Sequence, residues 1–128
     1  MKKIAFFDID GTLTSEIDGS IPVSAIEAIR AARANGNLMF INTGRCFQNV
    51  EERFRSIGFD GLVCGCGTNI YCEDREILHV SQTHDVTMEL LKAAQDADLD
   101  ILFESYKEVT FDPVSYTHLR AHETKANL

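Results

Sequence analysis

Ile4-Ala5-Phe6-Phe7-Asp8-Ile9-Asp10-Gly11-Thr12-Leu13 is the stretch from which the fold can be read. Its first four residues are apolar without interruption. Continuous rather than alternating apolar character marks a buried strand of a parallel sheet. Asp8 and Asp10, at i and i+2, leave that strand on the same side. Gly11 frees the backbone to turn, and Thr12 adds a hydroxyl. In an open α/β sheet, ligands bind beyond the carboxyl ends of the strands. Both acids are therefore expected to project into the place where such folds do chemistry. Asp10-Gly11 alone is only a turn signal; the acids, the glycine and the hydroxyl behind an apolar strand make a functional pattern.

The next elements extend the same plan. The polar stretch Thr14 to Pro22 turns at Asp18-Gly19 and is short enough to form a flap over a site. Ser24 to Asn35 reads as a helix: Ser24-x-x-Glu27 forms a capping box, Ile26 and Ile29 mark an apolar face, and Gly36 stands where a helix ends. Leu38-Met39-Phe40-Ile41 is a second buried strand. Strand, helix, strand implies a right-handed βαβ unit. Asn42-Thr43-Gly44-Arg45 follows at once. Gly44 lets backbone approach a phosphate, the next helix would present its N-terminus there, and Arg45 would clamp a phosphate or substrate oxygen. The plainer reading is a helix cap by Thr43 and a surface arginine.

Phe47, Val50, Phe54 and Ile57 repeat at helical spacing before Gly58 and predict a helix with a core-facing stripe. Leu62-Val63-Cys64 is a third strand, and residues 70–80, broken at Glu73-Asp74, predict a β-hairpin. Asp85 to Ala97 reads as a helix with Leu90, Leu91 and Ala94 inward; Ile101-Leu102-Phe103 and Val109-Thr110-Phe111 read as strands.

Length and composition bound the function. At 128 residues, with 45% hydrophobic and 25% charged residues, the chain suits one ordinary globular domain. No apolar run approaches the ~18 residues of a membrane helix. Four apolar residues before Asp8 are too few for a signal-peptide core, so a cytoplasmic location is the default expectation. The net charge of −8 argues against nucleic acid. It does not argue against an anionic small substrate, because a bound cation reverses the local field. Cys46, Cys64, Cys66 and Cys72 match no common zinc spacing and read as reduced, mostly packed thiols.

Asp8-Ile9-Asp10-Gly11-Thr12 resembles motif I of the haloacid dehalogenase-like phosphohydrolases, and Asn42-Thr43-Gly44-Arg45 resembles their motif II. The resemblance implies an incomplete Rossmann-like α/β core over residues 1–82. It further implies the start of an inserted α+β cap over 83–113, as in the type IIB, or Cof-like, subgroup. Asp8 would be the nucleophile that takes the phosphoryl group and Asp10 the general acid/base. Gly11, Thr12, Thr43 and Gly44 would bind phosphate, with Thr43 hydrogen-bonding the transferring group and Arg45 reaching the substrate. Mg²⁺ would be held by the Asp8 side chain and the Asp10 backbone carbonyl, and the partner would be a small phosphorylated metabolite. Gly65-Cys66-Gly67 resembles the subgroup's third-strand loop, with Cys66 where Asn is usual. A phosphomutase of the same fold resembles this motif I equally well, and a non-catalytic phosphate-binding or regulatory protein is the alternative outside enzymes. A receiver domain would need an Asp ending the third strand, where Cys64-Gly65 stands.

The family's motif III lysine and motif IV acids have no counterpart here. The chain contains no Gly-Asp dipeptide, and no lysine stands in a matching context. Val114 to Leu128 resembles one reading frame of a transposase adapter used in DNA sequencing, so residues 114–128 are expected to be a foreign tail and His118, His122 and Glu123 no metal site. The expectation is thus an N-terminal fragment of a phosphatase, poorly active alone, with an open sheet edge.

Overall fold

The computed structural model describes residues 1–73, 75–105 and 109–111. The expected foreign tail lies outside them. The chain divides into Met1–Val80 and a second unit from Ser81 onward.

The first unit is an α/β sheet of five strands in the order β1-β2-β3-β4-β5. β1 (Ile4–Phe7), β2 (Leu38–Asn42) and β3 (Gly61–Cys64) are parallel. β4 (Asn69–Cys72) and β5 (Arg75–His79) add the expected hairpin antiparallel to β3. Helix α1 (Val23–Ala34) makes the crossover between β1 and β2. Side chains alternate across the sheet. Met39 and Ile41 of β2 join Ile9, Ile29, Phe54, Ile57 and Cys64 in one core, with Ala5 and Phe7 of β1 packed against it. On the other face the Phe6 and Phe40 rings lie 5.5 Å apart. Phe40 is buried because its ring crosses Gly61: a Cβ there would collide with the Phe40 ring and with the Tyr71 carbonyl oxygen.

Four local expectations are corrected. β1 is parallel but not buried: it pairs only with β2 among the described residues, and Ile4 and Phe6 are 57% and 58% exposed. Ile4 and Phe6 lie on the sheet face opposite the one that carries the core, and among the described residues they are left uncovered there. The capping box of Ser24 and Glu27 does not form. Pro22 takes the N-cap position and its carbonyl accepts from the amides of Ala25 and Ile26, so Ser24 falls inside the first turn. Gly36 does close α1, donating its N–H to the Arg33 carbonyl.

The helix expected over Phe47 to Ile57 is broken. One 3₁₀ turn at Phe47–Asn49 is followed by extended Val50 and Glu51, then by the short α2 (Glu52–Arg55). The stripe is still core: Val50, Phe54 and Ile57 are at most 2% exposed. The break buries Val50 and points the Glu51 carboxylate at Arg45 and Arg53, interactions a continuous helix would not offer together.

In the second unit, α3 (His84–Asp96) is capped by the Thr83 hydroxyl, which accepts from the Val86 amide. β6 (Leu102–Glu104) and β7 (Val109–Phe111) pair antiparallel, as read. Ala94 is buried and Leu91 half-buried, but Leu90 is 49% exposed, which corrects its inward placement. Leu90 lies four residues before Ala94 on one side of α3, and what surrounds it there is too little to bury it. No described helix is long and apolar enough to cross a membrane.

Candidate functional site

The carboxyl ends of β1, β2 and β3 gather the residues singled out by sequence. Beyond Phe7 the chain makes a wide turn over Ile9–Leu13, closed by the Leu13 amide donating to the Asp8 carbonyl (3.3 Å) and the Thr14 amide donating to the Ile9 carbonyl (3.1 Å). Ile9 and Leu13 are buried and anchor this turn, so Asp8, Asp10, Gly11 and Thr12 are left exposed on its outer side. Gly11 has φ +71°, a conformation that few side chains adopt without strain. Among the described residues the Asp8 carboxylate has neither a hydrogen-bond nor an ion-pair partner.

Thr43 follows β2 and is nearly fully buried. Its amide donates to the Val63 carbonyl and extends the ladder to β3; its hydroxyl accepts from the Arg45 amide at 3.2 Å. The hydroxyl proton therefore remains available to an acceptor above the sheet. The loop after β3 packs on this segment: the Gly65 amide donates to the Arg45 carbonyl, and the Cys66 amide to the Thr43 carbonyl. Cys66 is exposed, with φ +54°. Asn tolerates that left-handed conformation better, which gives a physical meaning to the departure from the usual residue. Behind it, Cys46 and Cys64 are buried, and burial pushes the Cys64 thiol up to about 11. No regular helix starts after Arg45, so the expected helix N-terminus at Gly44 is absent; the 3₁₀ turn there offers no aligned stack of amides.

Arg45 does not stand free for a substrate. Its guanidinium forks onto Asp10, with Nη2 to Oδ1 at 2.6 Å and Nε to Oδ2 at 3.0 Å. Nη1 donates to the Asn49 carbonyl and to Glu51 Oε1. Glu51 also holds Arg53, at 2.8 Å, and Arg53 Nη1 donates to the Gly19 carbonyl of the polar loop between β1 and α1. Both guanidinium groups lie over the Phe54 ring, at 5.6 and 4.6 Å. Arg45's hydrogen bond, with its charge and that of Arg53, holds the Asp10 carboxyl below its ordinary value of 3.8. Sequence reasoning missed Glu51 and Arg53. The mixed charges of Glu51-Glu52-Arg53 six to eight residues after Arg45 were the available signal; all three stay exposed, and the helix break sets Glu51 between Arg45 and Arg53.

The donor set suits a hard cation. The Asp8 carboxylate is unengaged, and the Asp10 carbonyl lies outside the two hydrogen bonds that close the turn. Oxygen donors of this kind fit Mg²⁺, which binds through one or two carboxylates and keeps several waters. No cluster of three acidic, His or Cys ligands occurs among the described residues, so the protein offers part of a coordination shell.

A family model described as haloacid dehalogenase-like hydrolase matches residues 5–127. The chain is 30% identical over 113 residues to a phosphoglycolate phosphatase of Staphylothermus marinus, covering 87% of this chain and 43% of that protein. It is similar in structure to a phosphatase from Bacteroides thetaiotaomicron, at TM-score 0.79 and 23% identity over 96% of this chain and 47% of that one, a likeness of fold. A subclass IIB sugar phosphatase superposes at TM-score 0.70 with 27% identity, over 91% of this chain and 47% of its own. The chain thus spans less than half the length of these relatives.

Proposed function

Because the chain belongs to the haloacid dehalogenase-like hydrolases, we propose that its site hydrolyses a small phosphorylated metabolite by transferring the phosphoryl group to Asp8. The observation that carries this reading is the contrast between two exposed carboxylates two residues apart. Asp8 is unengaged, as a nucleophile must be, whereas Asp10 is gripped by Arg45.

Asp8 attacks phosphorus and the leaving oxygen departs. The Thr43 hydroxyl donates to a phosphoryl oxygen, and amides of the turn after Asp8 face the developing charge. Asp10 then works on protons. Arg45 holds its pKa below the ordinary value and so favours the carboxylate form, which is suited to take a proton from the water that hydrolyses the aspartyl-phosphate. To act first as an acid it must carry a proton, and Arg45's fork opposes that. Proton donation by Asp10 therefore requires Arg45 to loosen, and Glu51 and Asn49 stand ready to keep the guanidinium. Mg²⁺, held by the Asp8 side chain and the Asp10 carbonyl, would lower the repulsion between the carboxylates and a phosphate dianion. The cap beginning near residue 83 would select the substrate.

The test uses the protein translated from its own gene, sequenced across the codon for Pro113. That protein should hydrolyse p-nitrophenyl phosphate in a Mg²⁺-dependent way, and Asp8→Asn should reduce the rate by about 10³-fold or more, the loss expected when a nucleophile is removed. Turnover that survives Asp8→Asn would overturn the assignment.

A further inference from the structure

At the opposite end of the sheet from Asp8 lies an open cleft of about 440 Å³. It sits at the amino ends of β1, β2 and β3, on the order of 15 Å from the acids given the rise along a strand. Its polar lining is Lys2, Arg30, Arg33, Gly36, Asn37 and Asp60. Three cations face one carboxylate, in a chain whose net charge is −8.

That one carboxylate is already used. Asp60 Oδ1 accepts from Arg33 Nε and Nη2 at 3.1 and 2.8 Å, and Oδ2 accepts from the Met39 amide at 2.8 Å. Arg30 is held by carbonyls, not by charge: Nε donates to Ile57 and Nη2 to Ser56. Those contacts fix the guanidinium without neutralising it. Among the described residues neither Arg30 nor Lys2 has a carboxylate within ion-pair distance, and Nη1 of Arg30 and of Arg33 has no acceptor. Asn37 is fixed on both sides, its amide group donating to the Ala32 carbonyl while its oxygen accepts from the Lys3 amide. Two immobilised guanidinium groups and an exposed ammonium around a cleft form the arrangement that recognises tetrahedral oxyanions.

We propose that this cleft binds a phosphate group, as free inorganic phosphate or as the headgroup of a small phosphorylated metabolite, at a site separate from Asp8. The proposal rests on the cleft alone and stands whether or not Asp8 is a nucleophile.

The experiment is an amide ¹H–¹⁵N NMR titration of the whole 128-residue chain, held at a concentration where light scattering shows monomer, without divalent metal, at constant ionic strength, with inorganic phosphate and separately with glycerol phosphate. Saturable shifts are expected at Gly36, Asn37 and Leu38. Lys2→Gln should weaken binding about fivefold, the effect of losing one exposed charge pair, and Lys2→Glu should abolish saturation. Lys2 is exposed, so both variants keep the fold, and their spectra verify it. Tighter binding of glycerol phosphate identifies a metabolite headgroup as the ligand; equal or tighter binding of inorganic phosphate identifies the free ion. Shifts confined to Gly11, Thr12 and Gly44, shifts that never saturate, or wild-type affinity in Lys2→Glu would each overturn the proposal.

Discussion

Arg45 changes what Asp10 is able to do. A forked guanidinium stabilises the charged carboxyl, so removing it should release the Asp10 pKa upward toward 3.8. Arg45→Ala should show this in a ¹³C carboxyl titration, while Asp18, held low by the Ser20 hydroxyl and amide, keeps its value. The sign for stability follows. A depressed carboxyl contributes stability that is complete above its unfolded value and lost as pH falls through the folded one. Acid unfolding of the wild type should therefore begin below about pH 4, and Arg45→Ala should lose less stability over that interval. Identical acid-unfolding profiles would show that the ion pair does not couple to folding. The Asp8-to-Thr12 turn and Thr43 were legible because apolar strands end sharply in polar residues there. Arg45's engagement was not, because its forked partner Asp10 stands thirty-five residues away in sequence and is brought to it by the pairing of β1 with β2.

Among the elements, the break between Phe47 and α2 separates pattern from conformation. Periodicity identified which side chains are buried, since Val50, Phe54 and Ile57 do enter the core, yet the backbone reaches that outcome without a continuous helix. Helical spacing constrains side-chain direction and leaves the path open when turns and an extended step deliver the same contacts. Phe54 is fully buried beneath two guanidinium groups. Phe54→Ala should cost about 3–5 kcal/mol in urea unfolding, the usual penalty for an emptied aromatic site. Gly61→Ala tests the sheet: the added Cβ meets the Tyr71 carbonyl and the Phe40 ring, so β3 must part from β4 or Phe40 must leave. A loss above about 2 kcal/mol is expected, and an Ala variant as stable as wild type would contradict the close approach.

For the whole molecule, the exposed side of β1 dominates. Among the described residues, Ile4 and Phe6 present apolar surface beside backbone groups that no second strand pairs, and Ile77 and Val80 of the hairpin region are also more than half exposed. An edge of this kind pairs with whatever strand it meets. The 128-residue chain should self-associate with rising concentration, and Phe6→Lys should shift light-scattering profiles toward monomer while leaving circular dichroism unchanged. Concentration-independent monomer in the wild type would refute this. The sequence reading expected an open edge and placed the strand inside the sheet at once; the structure keeps the first and overturns the second.

The chain of charges from Asp10 through Arg45, Glu51 and Arg53 to the Gly19 carbonyl has a thermodynamic consequence. Any motion of the loop after the acids that breaks Arg53 from Gly19 leaves Glu51 holding a freer arginine and alters its grip on Arg45. Proton affinity at Asp10 then depends on loop position. Coupling is reciprocal, so protonating Asp10 must shift the loop's own equilibrium by the same free energy. The loop's position would thus become a function of pH.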